Sequence, residues 1–363
     1  MNEYDIVVVG GGPAGLSAAR AAAEKGAEVL LIEEHEQIGL PEHCFGMISG
    51  ELSGYTKAEL DAIFAEMDPR VVLYEIKRER MWSPSGRLYE WSRQGSGARM
   101  VNRSMFEMEL AKLAVKAGAK FMVHTAVTDL IREDGFIKGV ITNSKTIPEV
   151  RCKVTIAADG IRCQLKGIAK WEGMAWKELA IMSGIMWQLG GAKDVDPGII
   201  EGQLGTFSKR GWGNLAPHGK HSCAVDFTSV SEFEMVKAGK WAFSKKIRDC
   251  QVLGMAGYSH PIPIGRALPK KIKNGLVLVG DSAGIMGNTL ALASGKLGGE
   301  AAAKAIEAGD ISEKGLGIYE ELIKKRKLDQ LHAWHDERFY DKTEEELEEL
   351  WDKMKSGEIT VIH

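Results

Sequence analysis

Cysteine is scarce: five among 363 residues, at Cys44, Cys152, Cys163, Cys223 and Cys250. None falls in a C-x-x-C spacing. That pattern argues against a zinc site or iron–sulfur cluster, so no metal is expected, and it suits a reducing, cytoplasmic setting. Charge of one sign is also missing. There are 47 Lys and Arg against 50 Asp and Glu, a net charge of −3, so the basic footprint of a nucleic-acid binder is absent. No run reaches the roughly 18 apolar residues of a membrane span. The first strand-like run opens at Asp5, and no signal peptide is expected ahead of it. No internal repeat or low-complexity linker stands out, and the length suffices for two domains with buried cores.

Glycine, by contrast, is abundant at 42 residues. Its informative placements are three: Gly10-Gly11-Gly12-Pro13-Ala14-Gly15, Ala158-Asp159-Gly160, and Gly280-Asp281-Ser282-Ala283-Gly284. Each follows an apolar, β-branched run and precedes a helix-like stretch. At the first, Asp5 to Val9 reads as a buried strand. Leu16 to Lys25 reads as a helix closed by Gly26, and Val29 to Ile32 as a second strand, completing a βαβ unit. Gly10 suits the tight turn, Gly12 the approach of a pyrophosphate, and Gly15 the packing of helix on strand. Glu33 stands 18 residues beyond Gly15, where a carboxylate can accept hydrogen bonds from ribose hydroxyls, with Glu34 beside it. A purely structural turn is the alternative. One segment could serve any nucleotide. Three in this order imply a long cofactor, FAD, laid across discontinuous pieces of chain. A second G-x-G-x-x-G is missing, which leaves NAD(P)H and ferredoxin both open as electron donor.

The expected fold class is α/β: a discontinuous Rossmann-like FAD-binding domain (1–70, 100–170 and 266–310), an inserted antiparallel-sheet substrate domain (71–99 and 171–265), and a helical C-terminal segment (311–363). Ser104 is placed as cap of a helix running to Lys116, a further helix is expected over Gly295 to Ala308, and the acidic run Glu344 to Glu349 reads as a solvated helix face.

With these motifs the chain resembles the flavoproteins of the para-hydroxybenzoate-hydroxylase fold and, within them, the geranylgeranyl reductase group. The resemblance rests on Gly10 to Gly15 with Glu33, on Arg103, on Asp159-Gly160 and on Gly280-Asp281. It implies that Gly10, Gly12, Pro13, Ala14, Gly15, Glu33, Glu34, Arg103, Asp159, Gly160, Gly280 and Asp281 contact FAD. Family members carry closely spaced glycines some ten residues after the last motif, letting backbone approach the flavin ring. Here the stretch is Asn288 to Gly295, Leu292 included, and its small residues Ala291, Ala293 and Ser294 are expected to serve. Pro41-Glu42-His43-Cys44-Phe45-Gly46 is similar to the group's cysteine-containing turn. Trp212 and Pro217 are similar to parts of its aromatic substrate element, although Asn214 stands where an aromatic is expected. Pro261 to Gly265 resembles the segment leading into the last flavin strand.

The implied activity is FAD-dependent reduction of carbon–carbon double bonds in an apolar, isoprenoid substrate of lipid metabolism, with peripheral membrane contact. Cys44, beside His43, is the candidate acid; a small buried turn residue is the alternative. His218, His221 and His260 are weaker candidates, better read as structural or surface groups. Trp212 reads equally as substrate wall or core. Met174, Trp176, Met182, Met186 and Trp187 suit core packing, with an adaptable pocket as the other reading. A flavin monooxygenase and an electron-relay subunit remain as rival functions, since one fold hosts several chemistries. A halogenase is disfavoured, because a second Trp would be needed where Asn214 stands.

Overall fold

The computed structural model describes residues 3–50, 55–177, 179–263, 270–328 and 339–359, with backbone alone at 179, 180, 182 and 260–263. Ile264 and Gly265, and the side chains of His260, Met182 and Pro261 to Pro263, lie outside the described residues.

The apolar run at the start forms the strand Glu3–Val9, in the middle of a parallel layer. Val29–Ile32 flanks it on one side and Glu149–Ala157 on the other. Lys120–Met122 and Leu276–Leu278 extend the layer outward, also in parallel. Such strands are covered on both faces, which explains why they are continuously apolar. The carboxyl ends of Glu3–Val9, Glu149–Ala157 and Leu276–Leu278 carry the three glycine segments, so residues far apart in sequence emerge along one edge. Phe136–Thr142 and Val127–Glu133 add an antiparallel flap to this sheet.

A second sheet has seven strands, in the order Gln251–Pro263, Leu179–Gly190, Ser222–Phe227, Trp212–Pro217, Ile199–Leu204, Arg78–Trp82 and Leu88–Ser92. All its pairings are antiparallel except that between Ile199–Leu204 and Arg78–Trp82. It has its own core, in which Trp187 stacks on Phe233 with ring centroids 4.6 Å apart. A small sheet of Met47–Ile48, Arg99–Val101 and Val72–Glu75 lies beside the cysteine-containing turn.

Two local expectations are corrected and a third is extended. The helix placed at Gly295 to Ala308 spans Asn288–Glu307, because Gly287 at φ +92 turns the chain into it seven residues earlier. Gly295 and Gly299 are then interior contact points, where this helix crosses the first helix, Pro13–Glu24. A Cβ at these positions would lie 2.0 Å from Ala14 O and 2.3 Å from Ala18 O. Asn102, not Ser104, caps Arg103–Lys116: its side chain accepts from Met105 N–H at 3.0 Å, and Ser104 Oγ donates to it. The acidic run lies, as expected, on a helix with Glu344, Glu345 and Glu349 exposed; the opposite side of this helix, Glu344–Ser356, docks Leu347, Leu350, Trp351 and Met354 beside Met81 and Leu204 of the second sheet. Trp351 Nε1 donates to Met81 O at 3.0 Å. Glu348 is held at about 2, below the usual carboxylate range: burial raises it, but Arg87 and the Ser85 N–H more than offset that.

Candidate active site

The glycine turn is built by steric exclusion. Gly10 adopts φ +107, and a Cβ there would lie 2.3 Å from Ala158 O; one at Gly15 would lie 1.9 Å from Gly10 O. At Gly12 a Cβ would meet nothing within 4 Å, so open space fronts the backbone. Pro13 begins the helix, and Gly12 supplies no side-chain cap. The first-turn N–H groups are therefore left for an anion. Glu33 holds the loop from below. Its Oε2 accepts from Gly11 N–H at 2.5 Å, and its Oε1 accepts from His35 N–H at 2.9 Å and pairs with His35 Nδ1 at 2.6 Å. Only 8 % of Glu33 is exposed, so the carboxylate shapes the turn as well as facing the cleft.

From this turn a cleft of about 790 Å³ runs toward the second sheet, within the range of roughly 300–1,000 Å³ typical of cofactor and ligand sites. Gly10, Gly12, Pro13, Ala14, Glu33 and Glu34 line one end. Asp159, Gly160 and Asp281 line it as well, and so do Arg103, His43 and Cys44. Arg162 pairs with Glu34 across the cleft. Asp159 accepts from Ser282 Oγ at 3.3 Å, and burial pushes its carboxyl up to about 6. Arg103 pairs with Glu107 and donates from Nη1 to Asn288 Oδ1 at 2.6 Å. The Cys44 sulfur accepts from Asn288 Nδ2 at 3.4 Å and from Gly46 N–H at 3.5 Å. His43 is directed elsewhere: its Nδ1–H donates to Gly257 O at 3.0 Å.

The far wall comes from the second sheet, through Ser183, Gly184, Gly257, Tyr258 and Ser259. Tyr258 is fixed by a buried ion pair: its Oη donates to Asp226 Oδ2 at 2.7 Å, and Arg210 reaches the same carboxylate at 2.9 Å. Arg210 is 1 % exposed and also donates to Trp212 O and Asp226 O. A smaller cavity of about 450 Å³ adjoins the cleft, sharing Leu40, Pro41 and Arg103. Met186, Leu73 and Met255 give it apolar walls, and Glu42, Gln188 and His218 a polar side. Gln188 Nε2 donates to Glu42 Oε2 at 3.1 Å, and burial lowers the pKa of His218.

Not every expected site residue faces these spaces. Gly15 and Gly280 lie behind the lining as packing points, and Leu292 is buried while neighbouring Ala291 lines the cleft. Trp212 lines neither space; it packs beside the C-terminal helix, with the Arg210 guanidinium 4.1 Å from its ring centroid. Pro217 sits in its strand and accepts the Tyr74 hydroxyl. His221 is exposed. The cleft also holds residues that the sequence motifs do not single out: Arg162, His35, Asn288, Ser183 and Tyr258. Arg162 follows Asp159-Gly160 by two positions and is within reach of motif reading. Tyr258 carries no local signal, because a strand pairing across the second sheet brings it in.

An open anion cradle at a helix N-terminus, a carboxylate 18 residues on, and a long cleft lined by two further glycine motifs fit FAD. Fold and site together define a flavin-dependent oxidoreductase. The FAD-dependent oxidoreductase family model matches residues 5–224. A digeranylgeranylglycerophospholipid reductase of Methanosarcina acetivorans is 33 % identical, over 89 % of this chain and 80 % of that protein. One from Thermoplasma volcanium is 30 % identical over 100 % of this chain and 94 % of that protein. A geranylgeranyl bacteriochlorophyll reductase-like structure from Thermoplasma acidophilum superposes with a TM-score of 0.84 at 26 % identity, covering 99 % of this chain and 93 % of that one. The chain belongs to the FAD-dependent oxidoreductases and, within them, to the geranylgeranyl reductase family. A flavin-dependent brominase at 16 % identity, with a TM-score of 0.71, shares the fold alone. The reductase names do not favour the monooxygenase reading.

Proposed function

We propose that this protein reduces isolated carbon–carbon double bonds of a prenyl lipid, with the isoprenoid chain in the smaller cavity and Cys44 supplying the proton. When bound and reduced, FAD supplies hydride to such an alkene. The glycine turn and first helix would hold its phosphates, and Glu33 would hold a ribose. Asp159 and Asp281 also line the cleft, and the sugar–phosphate chain would pass them. The observation that carries the reading is the adjacency of two spaces: the cofactor cleft, with Cys44 in its wall, shares Leu40, Pro41 and Arg103 with a chamber that has apolar walls. A chain reaching from that chamber to the thiol would be oriented there and shielded from water.

Leu40, Leu73 and Met255 line the chamber yet are 44 %, 40 % and 63 % exposed. An apolar mouth of this kind suits uptake of a lipid at a membrane surface; no described helix is long and apolar enough to span one. NAD(P)H or ferredoxin would deliver the electrons, and rapid mixing of the oxidised protein with each tells them apart. The test of the reaction is anaerobic incubation of the chemically reduced protein with a panel of prenyl lipids, followed by mass spectrometry. A gain of two hydrogens per double bond is expected. Product formed only with oxygen, carrying an added oxygen atom, would overturn the reading.

A further inference from the structure

Asn288 is the first residue of the long helix, and its carboxamide bridges two groups of the cleft wall. On one side Oδ1 accepts from the Arg103 guanidinium at 2.6 Å. On the other, Nδ2 donates to Met47 O at 3.0 Å and toward Cys44 Sγ at 3.4 Å. The orientation is fixed by chemistry: a guanidinium only donates, so the oxygen must face it and the NH₂ must face the carbonyl and the sulfur. Arg103 is anchored in turn by Glu107, one turn along its helix. Its guanidinium also interacts with the Cys44 sulfur. Asn288, Gly46 and Arg103, from three segments, thus converge on one thiol. Of the five cysteines, Cys44 alone is not buried.

We propose that Asn288 is a positioning residue for Cys44, holding the sulfur by its lone pairs so that the S–H bond points into the cleft. The inference rests on the reading of Cys44 as proton donor. A thiol sulfur has two lone pairs and one hydrogen. Asn288 Nδ2–H and Gly46 N–H approach the lone pairs, which leaves the remaining direction for the hydrogen. In the transfer the S–H bond breaks, a C–H bond forms at one alkene carbon, and the electron pair stays on sulfur. The hydride for the other carbon would be supplied by the bound, reduced FAD, and solvent would return the proton to the thiolate. The charge that develops on sulfur meets two N–H dipoles already aimed at it and a nearby guanidinium, so little reorganisation is required.

Asn288→Asp is the sharpest probe. It keeps an oxygen for Arg103 but removes the N–H and sets a carboxylate against the sulfur; Asn288→Ala removes both contacts. The readout is alkylation of Cys44 by iodoacetamide in the FAD-loaded protein, followed by peptide mass spectrometry across pH, since the thiolate is the reacting form. At pH 7 alkylation is expected to slow about tenfold in Asn288→Ala and further in Asn288→Asp, with the pH profile displaced upward in both. FAD content and circular dichroism serve as folding checks, and Asn288→Ala is read alone if Asn288→Asp fails them. In turnover, kcat is expected to fall with KM little changed. Alkylation within twofold of the parent, with an unmoved profile, would overturn the proposal. Cys44→Ser with full turnover would instead defeat the proton-donor reading, and the alkylation series would still judge whether Asn288 holds the sulfur.

Discussion

Replacing Gly295 with alanine tests how the site depends on helix packing. The new Cβ would lie 2.0 Å from Ala14 O and 2.8 Å from Ala14 C, where ordinary contact needs about 3.5 Å. Both obstructing atoms are backbone, so no side chain can swing away and the two helices must part by roughly 1.5 Å. Overpacking of this kind costs about 1–3 kcal/mol. Alanine in a helix interior returns about 1 kcal/mol relative to glycine. The net loss in the FAD-free protein is therefore only up to about 2 kcal/mol, read by urea unfolding.

Cofactor binding should suffer more, because Ala14 belongs to the first turn that faces the cleft. Misplacing one N–H that would donate to a phosphate forfeits about 1.5–3 kcal/mol, a tenfold or greater rise in the FAD dissociation constant. Gly299→Ala makes the same demand one turn on, 2.3 Å from Ala18 O. Once the helices have parted for one substitution, the second meets less resistance, so the double variant should lose less stability than the two singles combined. Unchanged FAD affinity in both singles, or strict additivity in the double, would refute this reasoning.

Glu33→Ala should weaken FAD binding by about 1–3 kcal/mol by titration of the apoprotein, since it removes the acceptor of Gly11 N–H and, on the proposed reading, an acceptor for the ribose. Asp226→Asn leaves Arg210 buried without its counter-charge and should cost about 3–5 kcal/mol in denaturant unfolding; a loss under about 1 kcal/mol would mean the network around Tyr258 is not held by charge. Asp159 gives a pH prediction for the FAD-free protein. Burial lifts its pKa from 3.8 to about 6, so between these values the folded chain keeps a proton that the unfolded chain has released. Stability contributed by this group therefore falls as pH rises from about 4 to 6, by about 3 kcal/mol in all. Asp159→Asn should remove that slope, and a stability difference between parent and variant that does not change across this range would contradict it.

Local sequence determined the parts of this protein that local rules govern. Continuous β-branched runs must be doubly buried strands, and positions such as Gly10 and Gly15 tolerate no Cβ. The βαβ unit and the three motif-bearing strand ends are therefore legible in the sequence alone. Tertiary structure decided what depends on approach between distant segments. The long helix starts at Asn288 because Gly287 turns the chain there and because Gly295 and Gly299 lock it against the first helix; in the sequence, Gly295 reads as a starting point. Trp212 carries a motif but is taken up by Arg210 and the C-terminal helix. The acidic run hides an apolar stripe that only docking on Met81 and Leu204 gives meaning. Adjacency points to His43 as the partner of Cys44, yet the sulfur is held by Asn288, 244 positions away. Neighbours in sequence constrain backbone conformation, but a side chain's partner depends on which strands and helices pack together, and that is set by burial over the whole chain.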